Sequence, residues 1–345
     1  MYKCAILGCG GRAKGHVSAY RHVKRGKLVA ICDMNDELLN KMGDQFSIKT
    51  RYTDFEKMLK MEQPDLLHIV TSPVLRATNQ LLRYPLMKIA SDYGVPAAIV
   101  EKPIAVMGED WRNLCGLSAK TKTKFVVNTQ LNFHPQNLVL KQDVADGKIG
   151  DIKFIEASAR QTPVDQGPHV LQLISSYIDN VRPIRVMGQV SGRNHMSSAQ
   201  PSPDHASGLI TYANGLQASV AFGTEMAPSV IEGMSNDRHK RICIFGSKGF
   251  IHWRYESWEQ FTADGGYQGG NLDYGDQDIY AQAGLTEAVF DWLEDESQVH
   301  PTHLDQSLAE FNLLLSLYYS SLIRQPLDLP VDLPDNFFHQ LREVL

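Results

Sequence analysis

Cys4-Ala5-Ile6-Leu7-Gly8-Cys9-Gly10-Gly11-Arg12-Ala13-Lys14-Gly15-His16 sets the architecture of the N-terminal part of this chain. An apolar run that reads as a buried strand enters a glycine cluster, and a helical segment follows from residue 13 to about 24. The glycines match G-x-G-x-x-G/A, with Ala13 in the third place. Gly8 permits a tight turn, and Gly10 lets backbone approach a pyrophosphate. Gly11 and Arg12 follow, and Ala13 keeps the helix close to the sheet. A helix start at this point offers free N–H groups and partial positive charge to a diphosphate. The second strand, residues 28–32, ends at Asp33, about the twenty-residue spacing at which a carboxylate takes ribose hydroxyls. Asp33 would repel a 2′-phosphate, so the pattern favours NAD over NADP, although Arg12 would suit a phosphate. The plainer alternative is an ordinary strand–helix turn with Asp33 capping the next helix. A P-loop is excluded, because Lys14 follows Ala13 and no Gly-Lys-Ser/Thr occurs there.

Working outward, short apolar runs and helical stretches alternate up to residue 128. Strands are expected at 4–7, 28–32, 49–52, 65–70, 97–100 and 125–128. Helices are expected at 13–24, 36–42, 55–61, 75–93 (interrupted by Pro85) and 111–121. This order implies right-handed crossovers and a doubly wound parallel sheet, an α/β Rossmann domain over residues 1–128. Beyond residue 148 the pattern changes. A strand at 152–159 precedes a helix at 166–177, and two strands flank Asn214-Gly215, a strong hairpin signal. A second hairpin turns at Gly246-Ser247-Lys248-Gly249. Residues 129–345 therefore read as an α+β domain with an open, mainly antiparallel sheet. Residues 265–275 read as a glycine-rich loop. Helical periodicity at 279–295 and 303–323 places Leu304, Leu308, Phe311, Leu315 and Tyr319 on one face.

Composition narrows the function classes. The chain has 345 residues, which exceeds one typical core, and its net charge is -5. No Lys/Arg block forms the basic stripe that nucleic-acid binding needs. No run approaches the apolar length of a membrane span, and the apolar N-terminal run is too short for a signal-peptide core. Cys4, Cys9, Cys32, Cys115 and Cys243 are scattered, with no C-x-x-C pair, so neither a metal site nor a disulfide framework is expected. A cytoplasmic enzyme follows from these readings.

Ligands of doubly wound sheets lie at the carboxyl ends of strands, where Thr71-Ser72-Pro73 and Glu101-Lys102-Pro103 fall. Pro103 biases Lys102 toward extended geometry. A cation there could hydrogen-bond a substrate oxygen and stabilise a developing alkoxide; taken alone, Lys102 would read as a surface lysine. Asp165 and His169 stand i, i+4 around Gly167-Pro168. If the helix already includes Asp165, the two side chains share a face; if it begins later, Asp165 caps it. Histidine titrates near neutrality and suits the proton exchange that accompanies hydroxyl oxidation. Asn128, Gln130 and Asn132 add polar groups suited to hydroxyls, and no Arg/Lys cluster for a substrate phosphate is visible.

Together these residues resemble the glucose-fructose oxidoreductase / inositol dehydrogenase (Gfo/Idh/MocA) family. The resemblance runs through Gly8-x-Gly10-Gly11-Arg12…His16, Asp33, Thr71-Ser72-Pro73, Glu101-Lys102-Pro103 and Phe133-His134-Pro135. It continues through Gly147-x-Ile149-Gly150, Asp165-x-Gly-x-His169 and the Leu-Pro near the final helix. It implies hydride transfer between nicotinamide and a secondary hydroxyl of a sugar or cyclitol. Lys102 would hold the hydroxyl, His169 would act as acid/base and Asp165 would bind or orient substrate. It also implies a homodimer or homotetramer. Two positions depart from the family pattern: Gln172 stands where many members have Asp, and Arg76 where a histidine often follows the Thr-x-Pro turn. Alternatives within the same architecture are a redox-assisted glycosidase that retains NAD and a non-catalytic sugar-pathway regulator.

Overall fold

The computed structural model describes residues 1–75, 77–223 and 239–345. The chain divides into two compact units. The first comprises Met1–Ala105, Asp110–Phe133 and Asp278–Leu308. Its strands are β1 (Tyr2–Leu7), β2 (Gly26–Cys32), β3 (Arg51–Tyr52), β4 (Leu66–Ile69), β5 (Val74–Leu75), β6 (Gln80–Leu81), β7 (Ala97–Val100) and β8 (Lys124–Val127). The main sheet runs β3-β2-β1-β4-β7-β8 with every pairing parallel. Helices α1 (Ala13–Ala19), α2 (Asp36–Gln45), α3 (Phe55–Glu62), α4 (Arg83–Asp92) and α5 (Gly108–Ser118) intervene. β4 and β7 are buried at every position, as parallel strands covered on both faces must be. Asn35 and Asp54 cap α2 and α3 by accepting the N–H groups of Leu38 and Lys57. The strand order reverses between β1 and β4, so the crevice for a ligand lies at their carboxyl ends.

Residues 75–93 differ from the expected helical zone interrupted at Pro85. β5 and β6 form an antiparallel hairpin, and only Arg83–Asp92 is helical. Ala77, Thr78 and Asn79 lead into β6, with Asn79 at φ 56, a left-handed conformation that asparagine tolerates. Pro85 does not break α4, because it stands in the first turn, where an N–H has no intrahelical partner.

Residues from late in the chain complete this unit. Ala283, Leu285, Val289 and Phe290 pack with Cys4, Leu66, Ala97, Ile99 and Val126 in one apolar cluster. Arg25, just before β2, is paired with Glu287, Asp291 and Glu294. A partner such as Glu287, 262 residues downstream, leaves no trace in local periodicity.

The second unit comprises Val106–Glu109, His134–Gln277 and Ala309–Leu345. It contains α6 (Pro135–Ala145), β9 (Ile152–Ala159), α7 (Pro163–Tyr177), β10 (Pro183–Ser191), β11 (His205–Tyr212), β12 (Gln217–Gly223), β13 (Lys240–Gly246), β14 (Phe250–Arg254), β15 (Ser257–Thr262) and β16 (Gly266–Asn271). There follow α8 (Tyr274–Glu294) and α9 (Leu304–Ile323), which the boundaries of the units cross, then β17 (Leu327–Asp328) and α10 (Phe337–Val344). Among the described residues the sheet order is β16-β15-β14-β13-β9-β12-β11-β10-β17. Only the β9–β12 pairing is parallel there, so the sheet is mainly antiparallel as expected. Gly215 turns the first hairpin at φ 85, and Gly246 N–H donates to the Gly249 carbonyl in the second. The segment read as a glycine-rich loop is instead largely β16. Tyr267 opposite Phe261 and Gln268 opposite Gln260 supply the cross-strand contacts that its glycines lack. Among the described residues no helix is long and apolar enough to cross a membrane.

Candidate functional site

The glycine turn after β1 is shaped by contacts from its own unit. Gly8 adopts φ +100, and a Cβ there would lie 2.5 Å from the Val70 carbonyl oxygen, so only glycine lets β1 and β4 end side by side. Gly8→Ala is expected to cost about 2–4 kcal/mol of folding stability, read as a lower urea midpoint at unchanged slope. Gly10 and Gly11 behave differently: a Cβ on either would meet no atom within 4 Å. That open space beside bare backbone suits close approach of a diphosphate. Ala13 opens α1 and is fully buried.

Asp33 is pinned at both oxygens. Cys9 N–H donates to Oδ2 at 2.7 Å and Asn35 N–H to Oδ1 at 2.8 Å. Asn35, not Asp33, caps α2. Asp33 is thus tied to the glycine turn itself, and each oxygen keeps acceptor capacity for a hydroxyl.

At the carboxyl ends of β4 and β7, Thr71-Ser72-Pro73 and Glu101-Lys102-Pro103 are joined by Arg83. This arginine is completely buried; its Nε donates to the Pro103 carbonyl at 3.2 Å and its Nη1 to the Thr71 carbonyl at 3.1 Å. Burial lowers its pKa to about 10 despite Glu101 and Asp110 nearby. Arg76 lies outside the described residues, and α4 is headed by Arg83.

Glu101 is buried, with three donors converging on Oε1: Arg12 Nε at 2.9 Å, His16 Nε2 at 2.9 Å and Asn128 Nδ2 at 2.7 Å. Burial would raise this carboxyl, but Arg12 and His16, with Lys102, hold it well below the usual carboxylate range. Arg12 also reaches Asp278, which accepts from Gln130 Nε2 at 2.5 Å. Asn128 follows β8, and Gln130 and Asn132 lie in the 3-10 turn Gln130–Phe133. Asn128 Oδ1, Gln130 Oε1 and Asn132 Oδ1 are buried acceptors without a partner among the described residues.

In the second unit, α7 begins at Pro163 with Thr162 as its N-cap, so Asp165 is already helical and is not the cap. Asp165 and His169 therefore project from one side of the helix. Gln166 Nε2 donates to Asp165 Oδ2 at 2.7 Å, and His169 is buried. Gln172, one turn on, is fully buried, and neither amide atom has a partner among the described residues.

Residues 2–129 match the family described as "Oxidoreductase family, NAD-binding Rossmann fold", GFO_IDH_MocA. Over these residues the chain is similar to the Gfo/Idh/MocA oxidoreductases. A D-apiose dehydrogenase of Paraburkholderia graminis is 25% identical over 236 residues, which cover 64% of this chain and 60% of that protein's length. A glycosyl hydrolase family 109 protein of Akkermansia muciniphila is 24% identical over 165 residues, covering 45% of this chain and 33% of that one. Among solved structures, an oxidoreductase from Agrobacterium radiobacter in complex with NAD+, L-tartaric acid and magnesium aligns with a TM-score of 0.77. It shows 20% identity and covers 95% of this chain and 98% of that one.

Of the candidate residues, the first unit gathers Gly8, Gly10, Gly11, Arg12, Asp33, Thr71, Glu101, Lys102, Asn128, Gln130 and Asn132, while the second carries Asp165 and His169. Sequence reading missed Tyr20, His68, Arg83 and Asp278. His68 carried a visible signal, a lone histidine inside the apolar Leu66-Leu67-His68-Ile69. Asp278 carried none, since its partner Gln130 is 148 residues away.

Proposed function

We propose that this chain is an NAD-dependent dehydrogenase acting on a secondary hydroxyl of an unphosphorylated sugar or cyclitol. The observation that carries the reading is Lys102, set at the end of β7 between a clamped carboxylate and a clamped carbonyl, in the unit that bears the glycine turn. The D-apiose dehydrogenase relative supports a sugar as substrate. The residues present fit the coenzyme. Open space at Gly10 and Gly11 suits the diphosphate, Asp33 the adenosine ribose, and the unpartnered amide oxygens of residues 128, 130 and 132 suit N–H or hydroxyl donors.

Bound NAD supplies the hydride acceptor. Lys102 donates to the substrate oxygen and stabilises negative charge as it grows there. His169 takes the hydroxyl proton, with Asp165 on the same helix side holding substrate or ring in place. Purified protein with NAD and a panel of sugars and cyclitols is expected to show growing absorbance of the reduced coenzyme. Failure across the panel, with NAD bound, would remove the dehydrogenase reading.

Coenzyme preference follows from Asp33. Asp33→Ala is expected to weaken NAD by roughly ten- to a hundredfold, the loss of charge-assisted hydrogen bonds to hydroxyls. NADP binding should weaken less or improve, because a repelling charge is gone. Calorimetry with both coenzymes measures the ratio; an unchanged ratio would count against Asp33 as the discriminator.

The similarity to a glycosyl hydrolase family 109 protein favours a second reading, glycoside cleavage through transient oxidation with NAD retained. Release of a leaving group from an aryl glycoside without net coenzyme reduction would select it.

A further inference from the structure

Beneath Lys102 lies a chain of hydrogen bonds that the reaction itself does not use. His16 and His68 are both completely buried. His16 Nε2 is 2.9 Å from Glu101 Oε1, His16 Nδ1 is 3.0 Å from His68 Nδ1, and His68 Nε2 is 2.8 Å from the Tyr20 hydroxyl. The proton positions follow from the carboxylate end. Ionised Glu101 only accepts, so His16 must carry its proton on Nε2. A neutral His16 then presents a bare lone pair at Nδ1, and His68 must donate from its own Nδ1. That leaves His68 Nε2 as an acceptor, which Tyr20 O–H fills. Every link points toward Glu101, and both rings are neutral.

Reversing any link sets two protons or two lone pairs face to face about 3 Å apart in a core, a costly arrangement. Burial lowers the pKa of His16 even with Glu101 opposing, and that of His68 further, with His16 adding to it. The groups facing His16 are Arg12 from its own end of α1, His68 from β4, Glu101 after β7, Asn128 after β8 and Asp278 from α8. Protonating His16 would drive its Nδ1–H against His68 Nδ1–H and force both His68 and Tyr20 to reverse. Burial raises the hydroxyl of half-buried Tyr20 well above its usual value, so this end of the chain keeps its proton and orients the rings.

We propose that His68 and Tyr20 are positioning residues of the dehydrogenase site, holding His16 in its Nε2–H form and so fixing the Glu101 carboxylate that precedes Lys102. The kinetic part rests on the function proposed above; the proton assignment rests on geometry alone.

The test uses the full chain with NAD, labelled with 15N-histidine, with the two signals assigned from His16→Gln and His68→Asn. Between about pH 6 and 8 both rings are expected to be neutral, His16 protonated at Nε2 and His68 at Nδ1. Tyr20→Phe should leave His68 protonated at Nδ1, because His16 still presents its lone pair there, and move the Nε2 signal as that nitrogen loses its donor. His16 found as Nδ1–H or as imidazolium overturns the proposal. In turnover, His68→Leu is expected to lower kcat on the order of tenfold or more, with NAD affinity by calorimetry little changed. His68→Asn, whose amide offers an N–H where Nδ1 stood, should recover most of it. Equal impairment of the two variants overturns the positioning role. If the tautomers are as assigned but no sugar reacts, the proton chain stands and the proposed function fails.

Discussion

Lys102→Ala is expected to lower kcat/KM by roughly a hundred- to a thousandfold, the loss seen when a donor to a developing oxyanion is removed. NAD affinity should change no more than a few-fold, because the diphosphate and adenosine ribose contacts are assigned to Gly10, Gly11 and Asp33. The size of the effect depends on how firmly the ammonium is placed. Glu101 before it receives three donors on one oxygen, and the Pro103 carbonyl after it accepts from buried Arg83. Both neighbours being held, little reorganisation remains for the transition state, which is when a charge contributes most. Lys102→Arg should rescue little, since a planar fork does not replace a compact ammonium. Steady-state kinetics paired with calorimetry separates the two quantities. Turnover preserved in Lys102→Ala would take this lysine out of the mechanism.

The parts of this site that were legible in sequence are those whose physics is local. Glycines needed for a turn, a carboxylate one strand later and a lysine before proline each depend on their immediate neighbours. The β1–turn–α1 unit and Asp33 were therefore readable, whereas the bond from Cys9 N–H that ties Asp33 to the turn emerges only in the structure. The hairpin of β5 and β6 was not, because Leu75, Leu81, Leu82 and Leu86 imitate helical spacing, and tertiary pairing outweighs that pattern. β16 was hidden by its glycines, which weaken strand signals although cross-strand partners at Phe261 and Gln260 secure it. Long-range partners stayed invisible for a simpler reason. His68 meets His16 across 52 residues and Glu101 meets Arg12 across 89, separations that no window of periodicity samples. Whether Asp165 lies inside its helix or caps it was open in sequence, and Thr162 at the cap closes the question.

Arg83→Ala is expected to destabilise the chain by about 3–5 kcal/mol, the combined effect of a large-to-small truncation in the core and buried acceptors left unmet. Arg83 occupies the first turn of α4, directly after the hairpin, and none of it reaches solvent. Its Nε and Nη1 donate to the carbonyls of Pro103 and Thr71, so its removal leaves both acceptors buried and unmet and opens a cavity. Lysine should recover only part of the loss, because one ammonium cannot span two carbonyls in the fixed fork of a guanidinium. Methionine separates the contributions further: it refills most of the volume without a donor, so its deficit relative to wild type measures the hydrogen bonds and charge, and its gain over alanine measures packing. Urea denaturation gives these differences as shifts in midpoint at constant slope. The same two carbonyls belong to the Thr71-Ser72-Pro73 and Glu101-Lys102-Pro103 ends, so Arg83→Lys, where it folds, should also lose turnover through a displaced Lys102. A fully stable and fully active alanine variant would mean that these strand ends hold their geometry without the arginine between them.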